Sequence, residues 1–189
     1  MSPQSEYLKD EKIKQRLIEI IHDLAAEKNK DALLEKILSG ARELTRADAG
    51  TLYVVSGGRL HFKVFQNDTI GINYGPTSET VLVLQPVQID ETTVSGFAAS
   101  RGLALNIPDV YENSSFDFSG PKKYDAKSGY KSKSMLVIPL RNKGGSVIGV
   151  LQLINSIDPA TRAVVPFPRQ LEELAAAFAS HAADTLTGS

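Results

Sequence analysis

Cysteine is absent from this 189-residue chain. That absence removes disulfides, thiolate nucleophiles, thiolate-bound zinc, iron–sulfur clusters and thioether-linked chromophores together. Methionine occurs twice and histidine three times. His22, His61 and His181 are scattered without metal-ligand spacing, so neither a metal nor a cofactor is expected. An excess of one charge is lacking too: 21 Lys+Arg against 22 Asp+Glu leave a net −1. General nucleic-acid binding needs a basic surplus that this chain does not have. No apolar run approaches the ~18 residues of a membrane span, and Met1-Ser2-Pro3-Gln4-Ser5-Glu6 contains no apolar signal core. These absences point to a cytoplasmic chain with no nucleic-acid and no membrane partner. Asp109, Asp117 and Asp125 have no accompanying nucleophile, metal triad or phosphate loop, and no catalysis is expected from them.

What is present is an ordinary globular composition, 42% hydrophobic, in a length that fits one domain with an appendage. Residues 5–28 carry Ile13, Leu17, Ile20, Ile21 and Leu24 at three- and four-residue steps among charged positions, which predicts a helix. The stripe is narrow, like a coiled-coil seam. Either a partner copy buries it, or the chain's own domain does. After Asn29-Lys30 a second helix is expected from an N-cap at Asp31 to about Thr45, with Leu33, Leu34, Ile37, Leu38, Ala41 and Leu44 on one face.

The period then shifts to two. Ala49–Val55 and Arg59–Gln66 read as strands joined by a tight Gly57-Gly58 turn. Simple alternation sends Leu60, Phe62, Val64 and Gln66 one way and His61, Lys63 and Phe65 the other. Residues 67–85 mix Gly, Asn and Pro with the apolar run Val81-Leu82-Val83-Leu84 and read as a mobile loop with a short strand. Val87-Gln88-Ile89 is a short strand, and Thr92 or Thr93 caps a helix ending at Arg101 before Gly102. Leu103–Ile107 is a further strand, and residues 109–130 form a polar, aromatic lid. A second hairpin follows, 134–140 and 147–155, in which Pro139 demands an edge or a bulge. A last helix spans 167–186 and keeps its pattern almost to the final residue, as expected of a piece cut from a longer chain. The order fits an α+β fold: an antiparallel sheet with terminal helices on one face and short helices and lid loops over a pocket on the other.

Three segments in this order are similar to GAF domains: Leu105-Asn106-Ile107-Pro108-Asp109-Val110-Tyr111, then Gly129–Leu140, then Val147–Asn155. The chain resembles the GAF domains of cyclic-nucleotide phosphodiesterases and cyanobacterial adenylyl cyclases, and those of bacterial HD-GYP phosphohydrolases and diguanylate cyclases. The resemblance covers about residues 31–186. It divides the chain into an N-terminal signalling and dimerisation helix, 1–30, and a GAF domain, 31–187.

The resemblance also implies a site. Phe65 matches the aromatic that contacts a purine, and Val94 and Ser95 match the phosphate-holding start of a short helix, which presents free N–H groups to an anion. Asp125, Ser128 and Ser132 match polar ligand contacts in the lid. Departures accompany these matches. Gln66 and Gln152 stand where the family has acids, and Asp117 stands where an aromatic is expected. Of the NKFDE signature, Asn155, Phe167 and Glu172 match, while Ser156 and Leu171 replace its ion pair. Each candidate also has a plainer role: Phe65, Phe62 and Tyr53 as sheet packing, Thr92, Thr93 and Ser95 as caps, Asp125 and Ser128 as turn residues.

The resemblance therefore implies a non-catalytic regulatory sensor binding a small molecule, with a cyclic nucleotide as a candidate. It would signal as a homodimer through the terminal helices to an effector domain outside the chain, of HD-GYP phosphohydrolase, cyclase or kinase type. A ligand-free dimerisation or spacer module is the alternative.

Overall fold

The computed structural model describes residues 3–80 and 83–188, with side chains from Asp10 onward. In chain order the helices are α1 (Pro3–Ala26), α2 (Lys30–Thr45), α3 (Val94–Arg101), α4 (Ser119–Ser128) and α5 (Arg169–Thr187). The strands are β1 (Ala47–Ser56), β2 (Arg59–Asn67), β3 (Ile72–Tyr74), β4 (Val87–Gln88), β5 (Leu105–Ile107), β6 (Met135–Arg141), β7 (Val147–Ile157) and β8 (Val164–Val165). They form one antiparallel sheet in the order β3-β2-β1-β7-β6-β5, with β4 paired to β2 and β8 to β7. Gly57 and Gly58 take φ of +58° and +71°, the left-handed pair that a tight hairpin turn requires.

One face of the sheet is covered by α1, α2 and α5. Leu33, Leu34, Ile37, Leu38 and Ala41 of α2 and Leu171, Ala175, Phe178 and Ala182 of α5 share a core with Leu52, Leu136, Leu151 and Leu153 of the strands. Ile20 and Leu24 of α1 are buried in the same core, with Leu17 and Ile21 packed against it. The second half of the first helix therefore packs on its own domain, one of the two partners its stripe allowed. Gly40 makes this junction possible: a Cβ there would lie 2.8 Å from Ile20 Cγ2 and 3.1 Å from Phe178 Cζ. The cap of α2 is Asn29 rather than Asp31. Its side chain accepts from the Asp31 and Ala32 N–H groups, because the chain enters the helix at Lys30, directly after an extended Asn29.

The other face is covered by α3, α4 and a 3₁₀ turn at Val110–Glu112. Thr93 caps α3 through the Gly96 N–H, and Gly102 ends it at φ +64°. Within the lid, α4 is a full helix where the sequence showed only polar and aromatic residues. Pro121 is its third residue, where a missing N–H falls among donors that have no intrahelical partner.

The alternation expected of β2 is corrected. The alternation of β2 breaks at Lys63: Leu52 pairs with Val64 but Tyr53 pairs with Phe62, leaving Lys63 as an extra, bulged residue. Leu60, Phe62 and Phe65 consequently face the lid, while Val64 and Gln66 face α2. The short strand expected within 67–85 is Ile72–Tyr74. Val81 and Leu82 lie outside the described residues, and Val83 and Leu84 are exposed and form no strand. Pro139 sits in β6 opposite Val150 of β7, past the reach of β5, which pairs only with Met135–Val137. It thus occupies a local edge, as its missing N–H requires.

Candidate functional site

The bulge at Lys63 sets the site's first wall. It turns Phe65 and Asn67 toward the lid, where the Phe65 ring meets Tyr124 of α4 edge-on, with centroids 5.4 Å apart. Tyr74 pairs directly with Phe65 across β2 and β3. Gln66 points the opposite way: its Oε1 accepts from Arg42 Nη1 at 2.9 Å and its Nε2 donates to Ser39 Oγ at 2.9 Å. Gln66 thus serves the sheet–α2 junction.

The remaining candidates form two hydrogen-bonded groups. Beneath α3, Gln152 Oε1 accepts from Ser95 Oγ and from the Tyr53 hydroxyl, each at 3.1 Å, and Gln152 Nε2 lies 3.2 Å from Met135 Sδ. Burial pushes the Tyr53 phenol far above its ordinary pKa, so it stays a neutral donor. Val94 is buried beside Ser95 at the start of α3. In the lid, Asp125 accepts from Ser132 N–H at 2.9 Å and Ser132 Oγ at 2.8 Å. Its Oδ2 also accepts from the Tyr111 hydroxyl at 2.5 Å, and this carboxylate pushes the Tyr111 pKa up to about 12. The ammonium groups of Lys122 and Lys131 lie 5.5 and 5.0 Å from the centre of the Tyr111 ring. Ser128 donates to the Tyr124 carbonyl and accepts from Tyr130 N–H.

A cleft of about 320 Å³ opens beside Phe65, between Phe62, Tyr74, Pro76 and the first turn of α2. Another of about 480 Å³ lies on the lid around Tyr111, Phe116, Ser119 and Lys122. Both fall in the size range of small-ligand pockets. Of the sequence-derived candidates, Phe65 lines the first cleft. Among the described residues no cluster of three or more His, Asp or Glu could hold a metal ion, and no helix is long and apolar enough to cross a membrane.

Sequence reasoning missed the tie between Tyr130 and Asp48 that holds the lid down, and it named Asn155 and Glu172 without their partners. The Tyr130 hydroxyl donates to Asp48 Oδ2 at 2.7 Å, as does Thr69 Oγ1. Asp48 in turn accepts from Arg42 of α2 through its carbonyl. Asn155, at φ +60°, accepts from the Lys133 and Ser134 N–H groups and donates to Tyr130 Oη and the Lys131 carbonyl. Glu172 accepts from Asn106 Nδ2 at 3.0 Å, beside the Phe167 carbonyl. Of the matched NKFDE positions, Asn155 anchors the chain from Tyr130 to Ser134, while Glu172 and the Phe167 carbonyl both engage the Asn106 side chain. The missed partners are far apart in sequence, so no local spacing announced them.

The sequence pattern of the GAF domain family matches residues 29–186. The chain belongs to the GAF domain family. It is similar to the dual 3′,5′-cyclic-AMP and -GMP phosphodiesterase 11A of Takifugu rubripes, 29% identical over 150 residues, covering 79% of this chain and 16% of that protein. It is 31% identical over 147 residues to the cGMP-specific 3′,5′-cyclic phosphodiesterase of Drosophila ananassae, covering 73% of this chain and 12% of that protein. The chain thus spans less than a fifth of these relatives. Among solved structures, the GAF domain of a phosphoenolpyruvate-protein phosphotransferase from Coxiella burnetii superposes with TM-score 0.69 at 16% identity, covering 93% of both chains. The free methionine-R-sulfoxide reductase of Neisseria meningitidis superposes with TM-score 0.66 at 19% identity, covering 94% of this GAF chain and 89% of that one. Both share the fold. The family's regulatory domains and some of its enzymes are thus built on one scaffold, and function must be argued from the site.

Proposed function

We propose that this GAF domain is a non-catalytic, cytoplasmic sensor module that binds a small molecule between β2 and the lid. Phe65, Val94, Ser95, Asp125, Ser128, Ser132 and Gln152 supply its contacts. The observation that carries this reading is the separation of the lid's attachments. Residues 109–133 are clipped to the rest of the domain by Tyr130–Asp48, Tyr130–Asn155 and Asp117–Thr92, by the Phe65–Tyr124 ring contact, and by Val110, Phe118 and Tyr130 packed into the core on that face of the sheet. A ligand that exchanges those contacts for its own moves the lid without disturbing the helical core. The relatives named for cyclic-nucleotide hydrolysis make 3′,5′-cyclic AMP and cyclic GMP the first ligands to try.

The signal has a physical route. Tyr130 touches Asp48, Asp48 accepts from Arg42, and Arg42 belongs to α2, which packs with α1 and α5. A ligand favouring one lid position shifts those helices only if it binds the two arrangements unequally. The helices would act in a homodimer and pass the shift to an effector domain outside this chain. Lack of the thiol on which methionine sulfoxide reduction depends supports the non-catalytic reading.

A second reading, a ligand-free dimerisation or spacer module, is favoured by the mutual hydrogen bonding of Ser95 with Gln152 and of Asp125 with Ser132. Calorimetric titration with cyclic AMP and cyclic GMP separates the two readings. The sensor reading expects micromolar or tighter binding of at least one, weakened tenfold or more by Phe65→Ala. The spacer reading expects no heat with either.

A further inference from the structure

The sheet has a gap in its outer edge. Strand β3 pairs with Phe65, Gln66 and Asn67 of β2, and β4 pairs with Arg59 and Leu60. Residues 61–64 lie between these pairings, with β1 on one side and no strand on the other. Their outward N–H and C=O groups are therefore an open sheet edge, and the bulged Lys63 sits in it. The cleft of about 320 Å³ opens at this gap, walled by Phe62, Phe65, Tyr74, Pro76 and Leu34 of α2. Helix α2 covers the face of the sheet opposite the lid. Apart from Phe65, none of the contacts proposed beneath the lid lines this cleft, so it is a second site.

The wall facing the gap is tied in place. Glu35 of α2 accepts from the Thr77 N–H at 2.9 Å and from Thr77 Oγ1 at 2.7 Å. Gly75 permits this approach, because a Cβ there would run into the Glu35 carboxylate. Ser78 Oγ accepts from the Gly75 N–H at 2.8 Å. The segment after β3 is thereby held across from the open edge instead of pairing with it.

Two charges line the cleft, Lys63 from β2 and Asp31 from the first turn of α2. They do not pair with one another, and neither forms an ion pair among the described residues. A small apolar cleft with one ammonium and one carboxylate, each lacking its counter-charge, is complementary to a molecule that carries both charges on an apolar body. The open backbone of residues 61–64 offers donors and acceptors to the same charged head.

We infer that this edge cleft binds a free α-amino acid with an aromatic or large apolar side chain. Its carboxylate meets Lys63, its ammonium meets Asp31, and its side chain lies among Phe62, Phe65 and Tyr74. The inference does not depend on any ligand beneath the lid. An occupant bridges β2 to the first turn of α2, which packs with α1 and α5, so it reaches the terminal helices by a route separate from the lid.

The test is an NMR titration of the ¹⁵N-labelled chain with L-phenylalanine, with phenethylamine, which lacks the carboxylate, and with 3-phenylpropionate, which lacks the ammonium. L-phenylalanine is expected to bind with a Kd on the order of 1 mM and to shift resonances of residues 31–35, 61–65 and 74–78. It is expected to bind about threefold tighter than either analogue, the scale of one exposed charge pair. Lys63→Met should abolish the margin over phenethylamine and keep that over 3-phenylpropionate. Asp31→Asn should do the reverse. Both side chains are exposed and Asn29 still caps α2 in each variant; circular dichroism checks that both are folded. Unchanged spectra with L-phenylalanine overturn the inference, as does equal affinity for the three compounds. Margins that survive in both variants overturn it too. Shifts confined to α3 and α4 overturn it while placing the amino acid beneath the lid, and calorimetry with cyclic nucleotides tests the lid pocket separately.

Discussion

Asp125 accepts both the backbone N–H and the hydroxyl of Ser132, so one carboxylate closes the turn that joins the lid helix to strand β6. The pair lies seven residues apart and is almost wholly buried. Tyr111 adds a third donor to the same carboxylate, so the beginning and the end of the lid meet on one side chain.

Removing that side chain should loosen the lid first. Asp125→Ala strips a charged acceptor from three bonds and leaves a buried N–H bare, which costs about 3 kcal/mol. The expected outcome is a fall in Tm of roughly 6–12 °C for a domain of this size. Hydrogen exchange should speed up in residues 109–133 before it does in α2 or α5.

The same contact predicts a pH signature. Tyr111 has a folded pKa near 12 against about 10 in an unfolded chain. A raised pKa means that the protonated phenol is favoured by folding. Its contribution to stability is complete below pH ~10 and is lost as pH rises from there through 12. NMR titration of the Tyr111 ring should show this late ionisation. Asp125→Asn removes the charge and should bring the midpoint back toward the ordinary phenol value.

Asn155 should prove structural. It combines φ +60° with four hydrogen bonds to the chain between Tyr130 and Ser134. Asn155→Gly keeps the backbone at ease and isolates the lost side-chain bonds, with an expected loss of about 3 kcal/mol in urea unfolding. Asn155→Ala should lose about 1 kcal/mol more, the cost of a Cβ in the left-handed region. Equal losses in the two variants would show that the conformation is unstrained.

Much of this architecture is legible from local chemistry. Gly57-Gly58 announces its hairpin, the apolar stripes of α2 and α5 announce the helical face, and Gly102 announces the end of α3. The bulge at Lys63 is not legible, because Phe62-Lys63-Val64-Phe65 satisfies either phase of alternation and only the pairing of Tyr53 with Phe62 decides between them. That one inserted residue determines which side Phe65 faces, and with it where the candidate site lies. The helix α4 is hidden for another reason: Gly120 and Pro121 read as turn residues, and its stability comes from Tyr124 and Asp125 meeting partners elsewhere in the fold. Asp48 and Tyr130 are single polar residues that meet each other across 82 positions of sequence, and no spacing rule reaches that far.

The most direct test of the sensor reading is hydrogen exchange of the whole chain with and without saturating 3′,5′-cyclic nucleotide. Slower exchange in residues 109–133, accompanied by altered exchange in α1 and α5 on the opposite face of the sheet, is the predicted result. Exchange that is unchanged in the lid, or changed there with both terminal helices unaffected, would contradict it.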